Sequence, residues 1–133
     1  MKGLDKMLRE DHVKILGLLE GLSDSNMPMD ELMIRFSEMG HLLVCHIEIE
    51  DKKLYPFLRE AAREDIFLSR LLDLFEADMK EVSGAIQAFY KKRGSGLASD
   101  ETRAELNTLI LRIRERITRE ENFLLGEYQR LSG

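Results

Sequence analysis

Apolar residues recur at intervals of three and four along almost the whole chain, and this spacing constrains its fold more than any other feature. Such spacing places side chains on one face of an α-helix. Breaks at Ser23–Pro28, Leu58–Asp65 and Arg93–Gly96 divide the chain into four segments. Because these connections are short, the sequence predicts an all-α, up-down-up-down four-helix bundle, built as a single domain over residues 1–133.

The expected helix limits follow from capping residues and from one proline. Asp30, Ser99 and Asp100 are residue types that cap helix N-termini, whereas Pro56 lacks the N–H that a helix interior requires. The predicted helices cover about Leu4–Leu22, the stretch from Asp30 to a kink or end at Pro56, Ile66–Lys92, and the stretch that follows a cap at Ser99 or Asp100.

Four polar residues interrupt the apolar stripes: His12, His46, Glu50 and Glu120. Such groups in a bundle core cost free energy unless they are hydrogen-bonded, paired or bound to a metal. Each lies near the middle of its stripe, so antiparallel packing of the first, second and fourth helices brings them to one depth. Nitrogen and oxygen donors without thiolate suit iron, manganese or zinc. The sequence therefore predicts a metal site formed by these four residues.

Composition and charge exclude several other classes. Charged residues make up 34% of the chain and interrupt every apolar stretch, so no membrane span is expected. The net charge of -5 argues against nucleic acid as a partner. The start of the chain lacks the apolar core of a secretion signal, and its one cysteine has no internal disulfide partner, so we expect a cytoplasmic protein. No catalytic motif is present, and we do not expect an enzyme unless a metal supplies the chemistry.

The outer face of the second segment is a candidate contact surface. His41 and Cys45 lie one turn apart and opposite the inward stripe, so they face solvent or a partner subunit. Together with Leu42, Val44 and Ile49 they form a face more apolar than one bundle needs, which predicts a homodimer or another partner.

Two stretches resemble the hemerythrin-like, or HHE cation-binding, family of four-helix bundles. They are EDHVKILGLLEGL in the first segment and HIEIEDKKLYPFL in the second. The family shows Asp-His before apolar spacing, then His-x-x-x-Glu, an acidic residue and Leu-Tyr-Pro-x-Leu. The resemblance implies that His12, His46 and Glu50 hold iron, with Glu50 in the place of a carboxylate that bridges two irons. It also implies a small diatomic ligand, such as oxygen or nitric oxide, that is sensed or stored.

The second half of the chain departs from the family pattern. The resemblance places Met79 where one histidine belongs and Arg116 where the histidine partner of Glu120 belongs. Met79 removes a nitrogen donor. Arg116 introduces a permanent positive charge, and its guanidinium is expected to bridge Glu50 and Glu120 with bidentate hydrogen bonds.

Three interpretations of the polar core therefore stay open. A single metal ion binds to His12, His46 and Glu50, with or without Glu120; a pair of irons survives the two replacements; or no metal binds at all. In the last case the histidines bond to the carboxylates, Arg116 completes the network, and the bundle serves as an interaction or regulatory module. An oxidase that handles oxygen or peroxide is a further class, and it requires iron that cycles between oxidation states.

Overall fold

The computed structural model describes residues 3–23, 26–93 and 99–132, and all regular structure within them is helical. The α-helices are α1 (Leu4–Gly21), α2 (Met29–Ile49), α3 (Tyr55–Ala61), α4 (Ile66–Arg93), α5 (Ser99–Arg119) and α6 (Leu125–Ser132). Two π-helical turns, Glu50–Leu54 and Glu120–Leu124, continue α2 into α3 and α5 into α6. The result is four helical rods, namely α1, α2 with α3, α4, and α5 with α6, in agreement with the four predicted segments.

Two apolar clusters show how the rods run. One cluster contains Leu8, Leu58, Leu72 and Tyr128. The other contains Leu19, Phe36, Phe89 and Leu106. The first cluster joins the start of α1, the end of the second rod, the start of α4 and the end of the fourth rod, and the second joins the four opposite ends. The rods therefore alternate in direction, which confirms the predicted up-down-up-down bundle.

A polar layer separates these two clusters. Leu8 and Ile15 are fully buried on either side of it along α1, and the buried His12 lies between them. Burial of a leucine-sized side chain contributes about 1.5–3 kcal/mol. The two apolar clusters therefore offset the free-energy cost of burying the polar layer between them.

The starts of α2 and of the fourth rod lie close to the predicted capping residues. The N-cap at Asp30 is wrong: α2 begins at Met29, with Pro28 in the cap position, and the Asp30 side chain accepts a 3.0 Å hydrogen bond from the next backbone N–H. Proline before the first turn loses nothing, because N–H groups there lack helical partners. The fourth rod begins at Ser99. The predicted cap by Ser99 or Asp100 and the break after Arg93 fall outside the described side chains and residues.

Pro56 does not end the second rod. The π-helical turn precedes it, and the backbone N–H of Tyr55 donates to the carbonyl of Glu50, five residues back. Pro56 thereby becomes the second residue of α3, a position at which a missing N–H costs little. The rod continues to Ala61 and a 3-10 turn follows over Ala62–Glu64, so most of the predicted connection that begins at Leu58 is helical.

Most of the predicted outer face of α2 is exposed, including His41 and Cys45, whereas Ile49 is half-buried against the apolar cluster that contains Leu8 and Leu58. Val44, beside His41 and Cys45, is 56% exposed. A homodimer through this face stays a prediction. None of the helices in the described part of the chain is both long and apolar enough to cross a membrane.

Candidate metal centre

The structure brings all four predicted site residues together in the polar layer. His12 lies on α1 and His46 on α2, while Glu50 and Glu120 begin the two π-helical turns. All four are at most 2% exposed. One nitrogen or oxygen atom from each lies within 4.8 Å of the corresponding atoms of the other three.

Both carboxylates of the cluster lie at the first residue of a π-helical turn. Glu50 follows His46 by four residues and opens the first π-helical turn, and Glu120 follows Arg116 by four residues and opens the second. Single π-helical turns inside α-helices are rare and concentrate at functional sites. The two halves of the bundle thus repeat one local geometry, although the second half carries arginine in place of histidine.

The inner atoms of the cluster face a common point. His12 Nε2 lies 3.0 Å from His46 Nε2 and 3.0 Å from Glu120 Oε1. His46 Nε2 lies 3.3 Å from Glu120 Oε1 and 3.3 Å from Glu50 Oε2. Two imidazole nitrogens and two carboxylate oxygens therefore converge, as they do around a bound cation.

The outer nitrogens of both histidines meet further carboxylates. His12 Nδ1 lies 2.7 Å from Glu121 Oε2, and His46 Nδ1 lies 3.1 Å from Asp11 Oδ2. A carboxylate at Nδ1 holds a proton there, so Nε2 is the ring nitrogen that faces the centre of the cluster, and it can bind a metal once it carries no proton itself. This carboxylate-histidine pairing is typical of histidines that bind metals.

Glu121 is the site residue that sequence reasoning missed. On an ordinary helix neighbouring side chains point about 100° apart, so Glu120 and Glu121 were not expected to serve one histidine. In the structure both contact His12, one at each ring nitrogen. The signal available in the sequence was the pair of acidic residues at the start of EENFL, which matches the acidic pair in EDKKL.

Burial and close contacts change the pKa values of three residues of the cluster. Burial alone lowers the pKa of His46, but Glu120 and Glu50 outweigh it and raise that pKa to about 10. Burial and the charge of Glu120 raise the pKa of Glu50 well above its ordinary value. Burial also acts to raise the pKa of Glu120, but hydrogen bonds with Glu50, His12 and His46 hold it well below its ordinary value. At neutral pH, without a metal, His46 is therefore an imidazolium.

The donor set fits a divalent cation. Among the buried side-chain nitrogen and oxygen atoms of the described residues, Glu50 Oε2 lacks a hydrogen-bond partner. Its 3.3 Å approach to His46 Nε2 does not satisfy it. An orphaned buried oxygen costs free energy that a cation bound between it and the histidine nitrogens recovers.

Arg116 is buried beside this cluster, with 3% of its surface exposed. Its Nε donates to Glu120 Oε2 at 3.3 Å. Its Nη1 donates to the carbonyl oxygen of Phe75 at 2.6 Å, and its Nη2 donates to Tyr55 Oη at 2.9 Å. The guanidinium carbon also lies 4.7 Å from the centre of the Phe75 ring.

The predicted bridge from Arg116 to both carboxylates is formed on one side only. The guanidinium binds Glu120, and its remaining donors go to Tyr55, Phe75 and Asp78 rather than to Glu50. The physical reason is the position of the acceptors: a carbonyl and a hydroxyl from the neighbouring rods surround Nη1 and Nη2 and take their hydrogen bonds.

Helix α4 contributes no donor to the cluster. Met79 is half-buried at the position where the resemblance calls for a histidine. Asp78 does not replace it, because its carboxylate binds Arg116 at 3.3 Å. Glu81 is exposed and lies 3.4 Å from Arg112 at the surface. The centre therefore takes its donors from three of the four rods.

Fold and site together define a four-helix bundle with a buried histidine and carboxylate cluster that could hold a metal ion. The chain belongs to the hemerythrin family: residues 4–128 match the family model described as the hemerythrin HHE cation binding domain. No curated protein and no solved structure matches it. The family match confirms the resemblance and makes metal binding the function of this type of domain.

Proposed function

We propose that the protein binds one iron ion through His12, His46, Glu50 and Glu120. The observation that carries this proposal is the convergence of four buried donors, one of which is the partnerless Glu50 Oε2. Two nitrogens and two carboxylate oxygens suit iron, manganese and zinc. Membership of the HHE family supports iron among these.

The second metal position is taken by Arg116. Glu120 Oε1 faces the two histidines, whereas its Oε2 accepts from Arg116 Nε. The Glu120 carboxylate thus joins the metal position to a guanidinium. In a two-metal centre, the second cation would occupy the place of this guanidinium. A fixed positive charge at this position repels a second ion, and Met79 offers no nitrogen to compensate.

We further propose that the centre senses or stores a small diatomic ligand, oxygen or nitric oxide. Iron held by two histidines and two carboxylates supplies an open coordination position and a change of oxidation state. The protein residues bind and orient: Glu121 and Asp11 fix the two imidazole rings, and the apolar clusters exclude bulk water.

Replacing His46 by alanine tests the proposal. The change removes one inner donor, so we expect metal affinity to fall by more than about 100-fold, since loss of an outer partner alone costs about 10–100-fold. The measurement is titration of metal-free protein with Fe²⁺ under anaerobic conditions. His41→Ala, an exposed histidine on the same helix, is the matched control and should bind as the wild type does. Equal affinity in both variants contradicts the site.

Metal affinity should rise with pH. The pKa of His46 is raised to about 10 by the carboxylates of Glu120 and Glu50, so an incoming ion must displace the proton on this imidazole. Below that pH the apparent association constant should increase by about tenfold per pH unit for the proton released. Calorimetry in buffers of different ionisation enthalpy counts the protons directly. An affinity that is unchanged by pH contradicts this assignment.

A second candidate is a metal-free interaction module. It is favoured by one observation: the pKa of His46 is raised to about 10, and its Nε2 lies 3.0 Å from His12 Nε2 and 3.3 Å from Glu120 Oε1, so a protonated His46 can take the place of a cation. This candidate predicts no uptake of iron, manganese or zinc in the same titration.

A further inference from the structure

A cleft of about 440 Å³ lies between the second rod and α4 and leads inward to the polar layer. Glu50, Tyr55 and Met79 line it, and Ser83 and Gly84 of α4 also form its wall. Gly84 is exposed at the outer side of the cleft, whereas Glu50 and Tyr55 are buried at its inner side, so the cleft runs from the surface to the wall of the centre.

The cleft lies on the side of the centre that lacks a protein donor. The inner donors come from α1 and from the second and fourth rods, while α4 presents Met79. Glu50 is 1% exposed, its Oε2 has no hydrogen-bond partner, and the same residue lines the cleft. A metal held by these donors would therefore have its open side toward α4 and this cleft.

Tyr55 provides a hydrogen-bond donor at this position. Its Oη accepts from Arg116 Nη2 at 2.9 Å, so its own proton is available to a ligand in the cleft. Burial raises the pKa of Tyr55 above its ordinary value, which keeps the hydroxyl protonated. The positive charge of Arg116, which donates to the Tyr55 hydroxyl, makes that hydroxyl a stronger hydrogen-bond donor.

The lining of the cleft contains three acidic residues, Glu50, Asp51 and Glu76, and one basic residue, Lys80. Glu76 is paired with Arg59 at 2.8 Å, and a cation bound at Glu50 would neutralise that carboxylate. Lys80 then offsets Asp51, so the lining of the metal-loaded cleft does not exclude a small anion.

We propose that this cleft admits a small ligand with a hydrogen-bond acceptor atom, of which azide is representative, to the metal and that Tyr55 donates to it there. The proposal rests on the iron site proposed above. The proposal also gives Met79 a role. A histidine at this position would bind the metal, whereas a thioether is a weak ligand for such an ion and leaves this side of the metal open.

Filling the cleft tests the route. Gly84 lines the cleft and a Cβ at this position meets no atom within 4 Å, so we expect Gly84→Phe to fold and to narrow the cleft with its ring. Azide association with the iron-loaded protein should slow by about tenfold or more, within the one to three decades that association rates span among variants of one site. Gly17→Phe is the matched control, since Gly17 is also exposed, helical and unobstructed.

Removing the donor tests the second half of the proposal. Tyr55→Phe should raise the azide dissociation constant by about tenfold, the effect of one hydrogen bond to a charged acceptor, through faster dissociation. Iron content measured on the same samples must equal that of the wild type. An azide affinity unchanged by Tyr55→Phe, or an association rate unchanged by Gly84→Phe, overturns the cleft proposal and leaves the iron site standing.

A thiol at position 79 tests the cleft without any metal. In a Cys45→Ser background, Met79→Cys should react with methyl methanethiosulfonate at least about tenfold faster than Val82→Cys, whose side chain is buried on the same helix. Adding Gly84→Phe should slow the reaction. Equal rates at positions 79 and 82 contradict the cleft. Failure of the wild type to bind iron overturns the iron site and the cleft proposal together.

Discussion

Replacing Arg116 by methionine should lower the free energy of unfolding of the metal-free protein by about 3–5 kcal/mol, the cost of breaking a buried ion pair by removing one partner. Arg116 is 3% exposed and holds Glu120, Tyr55 and the Phe75 carbonyl at once. Methionine fills part of the volume but leaves these three acceptors without their donor. Ionised Glu120 then lacks its nearest fixed positive charge.

Urea unfolding of the metal-free variant measures this loss, and Arg112→Met is the matched control. Arg112 lies one turn earlier on α5, is 36% exposed and pairs with Asp78 and Glu81 at the surface. Loss of such pairs costs about 1 kcal/mol or less. Similar losses for the two variants contradict the assigned network.

Introducing Met79→His together with Arg116→His should raise iron binding from one ion per chain to two. The double substitution removes the fixed charge beside Glu120 and adds two nitrogen donors at the positions that the family resemblance assigns to histidine. The Oε2 of Glu120, now released from Arg116, becomes available to the second ion. Metal analysis of the purified variant, with iron supplied in excess, gives the stoichiometry.

A variant with the same number of added histidines outside the centre controls for adventitious binding. Ala77→His with Glu115→His uses two exposed positions on α4 and α5, neither of which lines the cleft. It should bind one ion, as the wild type does. Two ions in this control, or one ion in the Met79 and Arg116 variant, contradict the assignment of Arg116 to the second metal position.

The spacing of apolar residues was sufficient to predict the bundle and the depth of the four polar site residues. His12, Glu50 and Glu120 are buried where the stripes put them, because the helical phase over ten or more residues averages out local irregularity. The position of Arg116 beside these residues was expected from the family resemblance and not from the apolar spacing, and Arg116 is buried as well.

Local backbone geometry could not be predicted from the same spacing. The two π-helical turns shift the phase of the side chains that follow, so the contact of Glu121 with His12 and the passage of the second rod through Pro56 were both missed. The partners of Arg116 depend on the carbonyl of Phe75 and the hydroxyl of Tyr55. These acceptors come from other rods, and their position is set only when the bundle packs.

Anomalous scattering at the iron edge, measured on crystals of the iron-loaded protein, tests the central claim most directly. The account predicts one peak per chain, within bonding distance of His12 Nε2 and His46 Nε2 and of the carboxylates of Glu50 and Glu120. No peak at this position, or a second peak between Glu120 and Arg116, would contradict it.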